Sequence, residues 1–134
     1  MPVTPTVVLE IDDNTPADQK PFTNDVSLWD FSEDLNLHTR TAAEVFRKLH
    51  DAVDSSAFRG YPERATRATR ELFGGLFESS EITWITAAEI PPDRVWLPTG
   101  DSSVERSVRM LFETLDVAAR HFGADRVRLV FAFG

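Results

Sequence analysis

The apolar residues of this chain fall into segments of two kinds, separated by turn formers. Residues 6–12 (TVVLEID) are apolar and β-branched and predict a strand. Residues 13–24 carry two prolines among polar turn formers and predict a loop. Residues 26–31 (VSLWDF) fit a short edge strand or a loop anchored by aromatics. Then the period changes. Thr41 and Glu44 have the spacing of a capping box, and Val45, Phe46, Leu49, Ala52 and Val53 follow at helical spacing. A second helix is expected from Pro62, with Ala65, Ala68, Leu72 and Phe73 on one side and Gly74 and Gly75 at its end.

Residues 82–86 (ITWIT) and 94–97 (RVWL) predict two further strands around a turn at Pro91 and Pro92. The clearest helix follows. Ser102 and Glu105 make another capping box, and Val104, Val108, Leu111, Phe112, Leu115, Ala118 and Phe122 form one stripe that ends at Gly123. From Val127 the pattern alternates. Val127, Leu129, Phe131 and Phe133 share one side, and Arg128, Val130 and Ala132 the other.

With the doubtful edge strand set aside, the order is β-α(α)-β-β-α-β. The expectation is a single α+β domain over 1–134 with a ferredoxin-like, split β-α-β sandwich. Its sheet would be mostly antiparallel and four-stranded with helices on one face, and a possible extra N-terminal edge strand. The other face would be polar, ligand-covered or used for a homodimer, with Trp84 or Trp96 beside Val130 and Ala132 making it apolar.

Composition narrows the function classes. The 134 residues include no cysteine, which excludes disulfides, thiolate nucleophiles and sulfur-bound zinc. The N-terminus has neither the basic start nor the apolar run of a signal peptide, and no stretch approaches the roughly 20 apolar residues of a membrane span. A cytoplasmic protein with no membrane contact is expected. The net charge of −8 makes general nucleic-acid binding unfavourable, because phosphates require clustered cations. Six of those excess charges lie in residues 1–40.

That asymmetry suggests a protein-interaction module. Asp12, Asp13, Asp30 and Asp34, with Trp29 as an anchor, would dock a basic protein partner by electrostatic steering. The alternative is a small enzyme with a pocket between sheet and helices. His38 would be its general base, and Arg40 or Arg94 would hold an organic anion. Arg59, Arg64, Arg67 and Arg70 form the one basic patch, and the last three are anion-binding candidates; i,i+4 pairing of Arg67 with Glu63 and Glu71 is the favoured account of that row. Asp12 and Asp13 lack the ligand spacing of a known cation site, and no cofactor or metal is expected. Phosphate loops, the Gly-x-Ser-x-Gly elbow and the His-Glu-x-x-His motif do not occur in the sequence.

Overall fold

In the computed structural model the described residues are 5–12, 15, 18–22, 27–29, 40–53, 58–60, 62 and 82–133. They form an α+β unit. Three long strands make an open antiparallel sheet: β1 (Pro5–Ile11), β3 (Ile82–Thr86) and β4 (Val127–Phe133). A three-residue strand, β2 (Ser27–Trp29), pairs with the outer edge of β1, giving the order β2-β1-β4-β3. Two helices accompany them, α1 (Arg40–Val53) and α2 (Ser103–Phe122).

The register of β1 against β4 runs from Pro5 opposite Phe133 to Ile11 opposite Val127. β4 pairs on its other side with β3, placing Trp84 opposite Val130 and Thr86 opposite Arg128. Side chains alternate across a strand, so the register fixes two faces. Val7, Leu9, Ile11, Ile85, Val127, Leu129, Phe131 and Phe133 form the helix-covered face, packed against Ala42, Val45, Phe46 and Leu49 of α1 and Val108, Leu111, Phe112, Leu115 and Ala118 of α2. Phe46 lies between Phe131, at 5.4 Å, and Phe112, at 6.0 Å. Each such side chain contributes roughly 1.5–3 kcal/mol by leaving water.

Helix α2 begins and ends as its sequence requires. The Ser102 hydroxyl accepts the Glu105 backbone N–H at 3.2 Å and donates to the Glu105 carboxylate at 2.8 Å. Gly123 closes the helix at φ 103, a conformation that side chains resist, and donates its N–H to the Ala119 carbonyl. Helix α1 begins at Arg40, so Thr41 lies inside it and is not its cap. The expected second helix falls outside the described residues, apart from the buried Pro62.

Two expectations are corrected. Residues 94–97 are a turn, closed by the Leu97 N–H donating to the Arg94 carbonyl at 3.0 Å. Trp96 drops from that turn into the helix-side core against Phe112, at 4.9 Å, while Val95 is exposed. Without a strand there, β4 occupies the centre of the sheet between β1 and β3, and every described pairing is antiparallel. A split β-α-β arrangement needs parallel central strands, so these strands do not have the ferredoxin-like order.

The second correction concerns the face away from the helices. Val8, Val130 and Ala132 are fully buried there, and Ile82 nearly so, with Trp84 packed against them. At these positions the face is buried in the single chain and not open. Among the described residues no helix is long and apolar enough to cross a membrane.

Candidate functional site

β1 and β4 each carry one charged residue in an otherwise uncharged strand, Glu10 and Arg128. They are cross-strand partners, and their alternation directs both to the face away from the helices. The Arg128 Nε donates to the Glu10 Oε1 at 2.8 Å, and its Nη2 lies 2.7 Å from the same oxygen. Both side chains are all but inaccessible to water, so each ion depends on the other. The guanidinium is also capped: the Phe22 ring lies 4.0 Å from it, in cation–π geometry.

Phe22 reaches that place through a specific backbone. Its φ of 63 is the only positive value at a non-glycine residue among those described. Such a conformation costs on the order of 1–3 kcal/mol and persists only where neighbours enforce it. Asp12 does so. Its carboxylate accepts the backbone N–H of Phe22 at 2.7 Å and that of Thr15 at 3.0 Å. Arg126 ties the same loop from the other side, donating to the carbonyls of Thr15 and Gln19 and lying 3.7 Å from Asp12.

A second arginine is held beside the first. Residues 59–60 run along the edge of β3, where the Arg59 N–H donates to the Thr83 hydroxyl and the Gly60 N–H to the Ile82 carbonyl. The Arg59 guanidinium grips Glu89 with both terminal nitrogens, donates to the Trp84 carbonyl at 3.1 Å and lies 4.8 Å over the Trp84 ring. Glu89 sits in the 3-10 turn after β3, and its Oε1 also accepts the N–H and hydroxyl of Thr86. The Arg59 hydrogen bond holds the Glu89 carboxyl below the ordinary carboxylate range; partial burial opposes this, and the Thr86 bonds add to it.

Between these groups is a recess of about 480 Å³. Pro21, Phe22 and Trp84 are its apolar walls, and Lys20, Arg59 and Arg128 are its cations. Thr86 also lines it, and Asp125 is the one carboxylate among the described lining residues. Glu10 and Glu89 do not line it. Lys20, Arg59 and Arg128 thus reach this recess, while the carboxylates paired with the two arginines are not among its described lining residues. A partly enclosed, low-dielectric space strengthens such a field.

The residues singled out from the sequence are placed as follows. Asp12 is 1% exposed, and its carboxylate accepts the backbone N–H groups of Thr15 and Phe22. Trp29 is on β2, opposite Leu9. Arg40 is the first residue of α1. Arg94 is gripped by Asp116 at 2.7 and 2.9 Å on the outer side of α2 and does not line the recess. Asp13, Asp30, Asp34, His38, Arg64, Arg67 and Arg70 lie outside the described residues. Among the described residues, no group of three or more histidine or acidic side chains could hold a metal ion.

Sequence reasoning missed Lys20, Phe22, Trp84 and Arg128 as a set, because their proximity depends on strand register. One signal was available: a lone acid and a lone base in two apolar strands mark a cross-strand pair once the strands are adjacent. No protein-family model, curated protein or solved structure matches this chain.

Proposed function

We propose that this domain binds a small organic anion in the recess over the second face of its sheet. The observation that carries this reading is that Lys20, Arg59 and Arg128 line one recess together with Phe22 and Trp84, while Glu10 and Glu89, the partners of the two arginines, are not among its described lining residues. An acidic chain has no general reason to converge three cations on a single recess. Anchored arginines are also preorganised, so a ligand need not pay for ordering them. The volume suits an organic ligand, lying within the roughly 300–1,000 Å³ of small-molecule pockets. An inorganic oxyanion would leave most of it empty.

The reading is of a binding site. The described lining offers no histidine, and Asp125, its one acid, is exposed at the rim. The test is an NMR titration of the ¹⁵N-labelled protein with small organic acids and their neutral amides. Acids should shift the backbone signals of Lys20, Phe22, Trp84 and Thr86 more than the amides do, and Lys20→Ala should weaken binding several-fold. Acids and amides acting alike, or shifts centred away from this recess, would overturn the reading.

A further inference from the structure

Resting on that reading, we infer that the anion is a flat aromatic monocarboxylate. Two stacks of planar groups define the recess: the Arg128 guanidinium against Phe22 at 4.0 Å, and the Arg59 guanidinium against Trp84 at 4.8 Å. All four of these residues belong to the lining, with Pro21 adjoining Phe22. Walls made of ring faces and edges complement a planar body. Ring–ring and ring–guanidinium contacts add attraction that an alkyl chain of equal area lacks.

The charge pattern orients the ligand. Arg128 is almost wholly buried and covered by Phe22, whereas Lys20 is exposed at the rim. A ligand carboxylate, which keeps part of its hydration, belongs at the rim near Lys20, and the ring belongs inside. Asp125 stands at the same rim and opposes a second anionic group. That favours one negative charge over two. Neither stack needs to open for this mode, because Glu10 and Glu89 keep their arginines while the ligand packs beside them.

The experiment compares three probes by isothermal titration calorimetry on the intact protein: 2-naphthoate, octanoate and 2-naphthamide. The naphthoate has the ring and the charge, octanoate only the charge, and the amide only the ring. The naphthoate is expected to bind about tenfold more tightly than either. Trp84→Leu should erase its advantage over octanoate, and Trp84→Phe should retain most of it. Octanoate matching the naphthoate would overturn the aromatic assignment and leave anion binding standing. The amide matching the naphthoate would overturn the anion itself. Binding by none of the three would overturn both. The three-probe comparison uses the parent protein, so its outcome does not depend on either variant folding.

Discussion

Alternate residues of the same strands build the two faces of this sheet, and the faces differ in kind. Under the helices, Leu9, Leu129 and Phe131 meet only apolar groups from α1 and α2, and burial is favourable at every position. On the opposite side, Val8 and Val130 are as deeply buried, yet two residues further along on the same face stand Glu10 and Arg128, two charges out of water. A hydrophobic pair of similar volume there would be neutral or stabilising by about 1–4 kcal/mol. The first face holds the domain together. The second accepts a desolvation penalty and a strained Phe22, and the recess lies where both are concentrated. Interior costs of this sort cluster where a protein has a task beyond folding.

The contrast can be broken most directly at the ion pair. Glu10→Ala should destabilise by about 3–5 kcal/mol, because it removes one member of a buried ion pair. The double variant Glu10→Leu, Arg128→Met should lose much less stability than that. Urea unfolding of the two variants measures both claims. A Glu10→Ala midpoint equal to the parent's would mean that the pair is not sealed from water.

The helix face should respond differently. Leu111→Ala should destabilise by about 2–5 kcal/mol through the cavity it leaves, with anion affinity of the folded protein unchanged. Loss of affinity together with stability would show that the faces are coupled.

The smallest effect is a pH dependence. The Glu89 carboxyl is held below its ordinary value of 4.5 in the folded protein. A depressed folded value means that its ion pair stabilises fully above the unfolded value and is lost as pH falls through the lower, folded one. The stability gap between the parent and Glu89→Gln should therefore be constant near neutrality and shrink well below pH 4.5. A gap that stayed constant into strong acid would remove Glu89 as the partner that positions Arg59.

How much was legible in the sequence depended on the range of the interaction. The cap, the central stripe from Val108 to Ala118 and the terminal glycine of helix α2 were legible because they are local, whereas Phe122, read into the stripe, is exposed. The alternation in β4 assigned both faces correctly for the same reason. The segment at 94–97 misled because Val95 and Trp96 have strand-like composition, but a strand also needs a free neighbour to pair with, and composition cannot supply one. Asp12 was read as an exposed docking acid. Its carboxylate instead accepts the backbone N–H of Thr15, three residues on, as Asp side chains in turns often do with nearby backbone. The recess was illegible because Lys20, Arg59, Trp84 and Arg128 converge only through long-range register.

The central position of β4 also governs how the sheet can come into being. β1 and β3 share no hydrogen bonds, and each pairs with β4. Glu10 and Arg128 are 118 residues apart in the chain. At a synthesis rate of roughly 5–20 residues per second, about 6–24 s separate the emergence of β1 from that of its partner. Through that interval β1 cannot pair with β4, and its apolar, β-branched edge is the kind that invites association between chains. Formation of the sheet must therefore wait until nearly the whole domain has left the ribosome, and protection by a chaperone would matter most during that delay.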